Sequence, residues 1–220
     1  DLCLRTNLRC AKNSARMENI MSEKVSIGIL AVQGAFAEHQ AMLDGLGADT
    51  FLIRQKKDLE EAVQNGRLQG IVLPGGESTV QGKLLRDLGM SDQLKELIEA
   101  GTPVLATCAG LILLAERVSN DDRAYLKTLP VSVKRNAYGR QLGSFVTDAE
   151  IAHIGIYRMN FIRAPYIDEI LDPQVETLAI VDGNTVAVRY KNQLALSFHP
   201  EVSEDARVHA YFLNEIVQGV

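Results

Sequence analysis

Hydrophobic positions along this chain change period repeatedly, and each change marks a new element. Residues 25–32, Val-Ser-Ile-Gly-Ile-Leu-Ala-Val, form a β-rich run that ends at Gln33-Gly34. Residues 36–46 then place apolar side chains at helical spacing, with Gly45 and Gly47 near the stop. The same alternation predicts a strand at 50–53, a helix near 58–64, a strand at 70–73, helices over 80–88 and 93–100, a strand at 103–107 and an apolar helix at 111–117. Alternating β and α predicts a mostly parallel central sheet covered on both faces, a three-layer α/β/α fold. Past about residue 119 the pattern turns to strands and turns. Residues 175–181 and 185–190 flank Asp182-Gly183-Asn184 as a hairpin, 194–198 form an apolar strand, and 203–217 a closing helix. Residues 149–158 fit no motif, and no role is assigned to them.

Residues 1–20 lack any period, and Met21-Ser22-Glu23-Lys24 reads as a natural start. We expect an N-terminal extension over 1–20 and a single domain over 21–220, with no repeat or linker dividing it. The extension has basic residues but no apolar core of a secretory signal; a transit peptide is the alternative reading. At 220 residues, 46% hydrophobic and 23% charged, the chain can bury a sizeable core. No apolar run reaches the roughly 18 residues of a bilayer-spanning helix, so no membrane role is expected. A net charge of -5 argues against a general nucleic-acid surface but leaves a small anionic substrate open. Three cysteines, Cys3, Cys10 and Cys108, cannot all pair, which fits a reducing cytoplasm.

In open α/β sheets, ligands sit beyond the carboxyl ends of the strands. Three strand exits carry unusual residues. Leu73-Pro74-Gly75-Gly76-Glu77-Ser78-Thr79 puts paired glycines ahead of a helix, where backbone N–H groups can meet an anion or oxyanion. It departs from a Walker loop, because Glu77 stands where Gly is needed; a plain turn capped by Ser78 or Thr79 is the simpler reading. Ala106-Thr107-Cys108-Ala109-Gly110 has the small residues that a strand-to-helix nucleophile elbow needs, and a following helix N-terminus favours thiolate. A lone Cys is otherwise a small core residue. At Ser197-Phe198-His199-Pro200-Glu201 a strand ends in His with Glu two residues on, so that in an extended segment both side chains project to one side. Glu201 would then orient His199 toward a thiol, the logic of a triad with Cys108 as nucleophile. His39, His153 and His209 lack such company, and no His/Cys cluster has metal-ligand spacing.

In this order, the three turns resemble the class I (triad) glutamine amidotransferases. Further motifs narrow the likeness: Val32-Gln33-Gly34 with Glu38-His39, Arg135-Asn136 with Gly139-Arg140-Gln141, and Phe161-Ile162-Arg163-Ala164-Pro165. With these, the chain from about Val25 onward is similar to the glutaminase subunits of pyridoxal 5'-phosphate synthase. Ala106 departs from the wider family, where Gly is common at the first elbow position.

The resemblance implies a flavodoxin-like single-domain amidotransferase fold and hydrolysis of L-glutamine to L-glutamate and ammonia. It implies Cys108, His199 and Glu201 as the catalytic triad, and Gly76, Glu77, Ser78, Arg135, Ile162 and Arg163 as contacts to glutamine. Arginines suit a carboxylate and Glu77 an ammonium. Backbone N–H groups of Gly75, Gly76 and Ala109 are the candidates for an oxyanion hole. The implied partner is a (β/α)8-barrel synthase subunit in an assembly of twelve plus twelve, which makes pyridoxal 5'-phosphate from ribose 5-phosphate and glyceraldehyde 3-phosphate and receives ammonia through a tunnel. Gln33 is expected to couple docking to catalysis. Neither cofactor nor metal is expected in the glutaminase half. The competing readings are a γ-glutamyl hydrolase or cysteine peptidase of the same fold, a non-catalytic regulatory subunit, and a redox sensor acting through Cys108.

Overall fold

The computed structural model describes residues 24–119, 121–135 and 144–219. The expected extension over 1–20 lies outside the described residues, as do Asn136, Gly139, Arg140 and Gln141 of the Arg135 motif. The first half runs β1 (Ser26–Leu30), α1 (Phe36–Gly45), β2 (Asp49–Ile53), α2 (Lys56–Gln64), β3 (Gly70–Leu73), α3 (Ser78–Asp87), α4 (Ser91–Glu99), β4 (Val104–Thr107) and α5 (Ala109–Leu114). The second half is mostly strands: β5 (Ala115–Val118), β6 (Leu129–Lys134), β7 (Ser144–Ile151), β8 (Gly155–Ile162), β9 (Tyr166–Ile170), β10 (Glu176–Val181), β11 (Asn184–Tyr190) and β12 (Gln193–Leu196). A 3-10 turn at Pro200–Val202 leads to α6 (Arg207–Tyr211), which continues as a π-helical turn over Phe212–Val217.

Ten strands form one sheet in the order β2-β1-β3-β4-β12-β11-β9-β6-β5, with β10 paired to β11. It is parallel from β2 to β12 and antiparallel from β12 to β6, so the expected parallel architecture holds where the motif-bearing strands lie. The central strands are buried on both faces, and their alternate residues feed two cores. Ile71, Leu73, Val104, Ala106 and Ala195 join Leu59, Leu85, Leu94 and Ile98 of α2, α3 and α4 on one side. Val72, Leu105, Leu194 and Leu196 join Leu43 of α1 and Val208, Phe212 and Ile216 of the C-terminal helix on the other. A period of two divided between two buried faces is how a covered sheet produces near-continuous apolar strands.

Two departures from the sequence pattern have local causes. The run at 111–117 is helical only to Leu114; Ala115 adopts extended geometry and begins β5, which pairs with β6. The unassigned segment 149–158 is the tip of a two-stranded hairpin, β7–β8. The hairpin at Asp182 is as expected: Asp182 and Gly183 both have positive φ, 50° and 78°, matching a type I′ turn.

Candidate active site

Strand order brings four exits together. β1, β3, β4 and β12 lie side by side and parallel, so the residues just past their carboxyl ends, Gln33, Gly75-Gly76, Cys108 and His199, converge at one edge. His199 arrives there because β11 and β12 form a hairpin whose second strand docks parallel to β4.

Cys108 occupies the elbow that the sequence predicts. It stands between β4 and α5 with φ 48° and ψ -99°, a strained conformation for a residue with a side chain. Its N–H donates to Leu196 O at 2.8 Å, which pins it to the neighbouring strand. Gly110 makes the tight turn possible, since a Cβ there would lie 2.1 Å from Leu73 O. Cys108 Sγ lies 3.9 Å from Ile162 O on β8.

His199 Nδ1 and Glu201 Oε1 are 2.7 Å apart, and both residues are buried. The pairing arises differently from expectation. Glu201 sits in the 3-10 turn at Pro200–Val202 rather than in an extended segment, and this turn brings its carboxylate back under the imidazole. The His199 N–H donates to Asn160 O at 2.8 Å, so β8 fixes the histidine backbone as well as facing the thiol. Burial lowers the affinity of His199 for a proton, but hydrogen bonds to Cys108 and Glu201 outweigh it and push the imidazole up to about 10. Gly75 must lack a side chain because a Cβ there would lie 2.3 Å from His199 Cε1.

Gln33 is the clasp of the glycine turn. Its side-chain oxygen accepts the Glu77 N–H at 2.9 Å and its backbone carbonyl accepts from Gln81 Nε2 at 2.9 Å. Ala35 N–H donates to Gly75 O at 2.9 Å, an approach that Gly34 permits because a Cβ there would lie 2.0 Å from that oxygen. The Gly75 N–H, an oxyanion candidate from the sequence, points inward and donates to Thr107 Oγ1 at 3.0 Å. In this conformation it is engaged elsewhere. Ala109 N–H opens α5, a position with no intrahelical acceptor.

One pocket of about 310 Å³ collects Gly76, Glu77, Ser78, Arg135, Ile162 and Arg163 together with Cys108, His199, Gln33 and Ile112. This lies near the lower end of the range for small-molecule sites, about 300–1,000 Å³. Arg135 Nη1 donates to Asp121 Oδ2 at 2.7 Å, and Arg163 Nη1 lies 3.8 Å from Glu77 Oε1 across the mouth. Among the described residues no group of three or more His, Cys, Asp or Glu could hold a metal ion, and no helix is long and apolar enough to cross a membrane.

Sequence reasoning missed two buried histidines beneath this site. His39 and His209 were expected to lack company, yet both are fully buried and their Nδ1 and Nε2 atoms are 2.9 Å apart. His39 Nε2 lies 3.1 Å from Thr107 Oγ1 and 3.4 Å from Glu201 Oε2. Burial, and then the neighbouring His209 and His199, hold His39 well below 6.5. Burial alone takes His209 to about 4. His153, also expected to lack company, lies at the exposed β7–β8 tip and pairs with Glu176 at 2.8 Å.

The sequence profile of the SNO glutamine amidotransferase family matches residues 29–218. The chain belongs to this family. It is 56% identical over 193 residues to "Pyridoxal 5'-phosphate synthase subunit PdxT" of Desulfitobacterium hafniense, covering 88% of this chain and 94% of that one. The protein of the same description from Methanocorpusculum labreanum is 53% identical, over 88% of this chain and 98% of its own. Among solved structures, one described as a glutamine amidotransferase superposes with a TM-score of 0.79 at 41% identity, covering 88% of this chain and 99% of that chain. The PurLQS structure from Thermotoga maritima superposes with a TM-score of 0.62 at 15% identity, covering 87% and 99%, which speaks to the fold alone.

Proposed function

We propose that this chain is the glutaminase subunit of a pyridoxal 5'-phosphate synthase, hydrolysing L-glutamine to L-glutamate and ammonia. The observation that carries the reading is the strained Cys108 elbow facing a buried His199–Glu201 pair in a small pocket. The descriptions of relatives above 50% identity supply the synthase. Cys108 Sγ attacks the side-chain carboxamide carbon while the thiol proton resides on His199, whose Nδ1 is held by Glu201 and whose Nε2 is left for the reaction. An imidazole held up to about 10 keeps that proton at neutral pH and hands it to the departing nitrogen, releasing ammonia and leaving a γ-glutamyl thioester. Water, deprotonated by the now neutral His199, attacks the thioester, and glutamate leaves as the thiol is restored.

Gly76 and Ala109 N–H groups are the donors for the oxyanion, with Gly75 joining once its bond to Thr107 Oγ1 opens. Each such donor is worth about 3 to 4 kcal/mol. A turn clasped inward through Thr107 and Gln33 fits an enzyme that is slow until it docks, and docking on a (β/α)8-barrel synthase, twelve glutaminases on twelve barrels, is the change we assign. Arg135 and Arg163 would take the glutamine carboxylate and Glu77 its ammonium. A single domain beginning at residue 21 and acting in the cytoplasm completes the reading; a reducing compartment suits a working thiol.

The test is ammonia and glutamate release from L-glutamine, with and without the cognate synthase. We expect turnover that rises on adding synthase and disappears in Cys108→Ala and His199→Asn. Persistent silence with a docked, competent synthase would refute the reading in favour of a non-catalytic subunit. Preference for a γ-glutamyl peptide over glutamine would favour a hydrolase of the same fold.

A further inference from the structure

The Glu38-His39 motif is one of those that carry the family resemblance, yet the triad leaves it unused. Its histidine is fully buried on α1, directly beneath the glutamate of the proposed triad. Glu201 uses Oε1 to hold His199, and Oε2 is also buried; among the described residues it has no hydrogen bond of good geometry. A buried carboxyl oxygen needs a hydrogen-bond donor. His39 Nε2, 3.4 Å away, is the ring nitrogen placed to supply one.

We propose that His39 is a positioning residue for catalysis: its Nε2–H faces Glu201 Oε2 and, through Thr107, ties the orientation of the triad to the glycine turn. The inference rests on the Cys108–His199–Glu201 reading and deepens it.

Two features place the proton on Nε2. A lone pair on Nε2 would oppose the carboxylate, whereas an N–H attracts it. With Nε2 protonated, His39 Nδ1 becomes an acceptor for His209 Nε2–H at 2.9 Å. His209 is then left with a bare Nδ1, the buried atom that lacks a partner among the described residues. The opposite tautomer would strand an N–H donor at that atom, and orphaned buried donors are rarer than under-used acceptors. A neutral ring also suits the place, because the groups facing His39 are His209 from α6, Thr107 from β4, and Glu201 with His199 from the exit of β12. A dipole there steadies Glu201 without a full charge that would weaken the pull of Glu201 on His199. Thr107 Oγ1 lies 3.1 Å from the same His39 nitrogen while accepting the Gly75 N–H, so a shift of the glycine turn reaches Glu201 through two side chains.

The test combines kinetics with the ring proton itself. In the complex with cognate synthase, His39→Leu should lower kcat for glutamine about ten- to hundredfold, the range of one hydrogen bond to a charged group, with KM changed less than threefold. His39→Gln, whose Nε2 can reach the same place as a donor, should recover most of the rate. Nitrogen-15 NMR of the full wild-type chain should show His39 neutral and protonated on Nε2 from pH 6 to 8, a readout that survives even if the Leu variant does not fold. A wild-type kcat in folded His39→Leu, a His39→Gln no better than Leu, or an Nδ1–H tautomer would each overturn the proposal. Turnover that persists in Cys108→Ala would instead remove the triad reading on which it rests.

Discussion

Replacing His209 by Phe tests the buried histidine pair without touching the proposed triad. Burial lowers His209 from 6.5 to about 4, so the folded chain resists a proton that the unfolded chain accepts. A depressed group of this kind contributes stability that is present above its unfolded value and lost as the pH falls toward its folded value. From the two values, linkage gives a loss of roughly 2 kcal/mol from His209 at pH 5, against roughly 0.2 kcal/mol at pH 7. Other titrations act alike in both proteins or in another window. His199 is raised and gains slightly over this interval, while Asp58 and Asp205 are lowered and act below about pH 4. His39 keeps its burial in the variant and loses only the smaller influence of His209. Phe removes a 2.9 Å hydrogen bond and therefore lowers stability at every pH. The decisive quantity is the change between pH 7 and pH 5, measured by urea unfolding at constant ionic strength with unchanged m-values. Wild type should lose about 2 kcal/mol more over that interval than His209→Phe. Equal losses, within about 0.5 kcal/mol, would mean that His209 is not buried neutral, and the assignment of protons in the pair would fall with it.

Two further substitutions probe the glycine turn. Gln33→Ala removes the acceptor of the Glu77 N–H, and synthase-stimulated turnover should fall about tenfold with a melting temperature within a few degrees of wild type; an unchanged stimulated rate would remove Gln33 from coupling. Gly75→Ala places a Cβ 2.3 Å from His199 Cε1 and 2.7 Å from Nδ1, so the imidazole must move off Glu201, and kcat should drop about a hundredfold or more; a kcat within threefold of wild type would show that the turn yields instead.

The half of the fold that was legible in sequence is the half built from local rules. From β1 to β4 each strand and its helix are neighbours in the chain, and the apolar period changes cleanly between them. The strands from β5 to β9 are different. β5 hides inside an apolar run that begins as helix, β7 alternates between exposed and half-buried positions, and β8 buries Tyr157, Met159 and Phe161 against partners distant in the chain. The same limit applies within the site. Cys108 was legible because an elbow demands small neighbours within two residues of it. The proximity of His199 and Glu201 was legible although its cause was not, since a 3-10 turn and an extended segment can each bring together side chains two positions apart. His39 and His209, 170 positions apart, each sit at an ordinary helical position. No periodicity states that the two helices meet there, or that a carboxylate lies above them.

The antiparallel half of the sheet sets where His199 stands in the site. Leu196 pairs with Thr107, and Leu196 O accepts the Cys108 N–H, so the register of β12 against β4 sets where the chain leaves for His199. A slip of one residue would turn every side chain of β12 to the opposite face and place Phe198, rather than His199, at the thiol. That register is guarded from both sides. The hairpin from β11 holds Ser197 N–H on Val186 O, and β8 holds His199 N–H on Asn160 O. Packing of Phe198 against Tyr157 and Phe161 of β8 makes the correct register also the one that buries its aromatic side chain. β8 in turn presents Ile162 O to Cys108 Sγ, so a single strand touches both Cys108 and the backbone of His199. The 149–158 segment, opaque in the sequence, is therefore part of the hairpin that holds Cys108 and His199 in register.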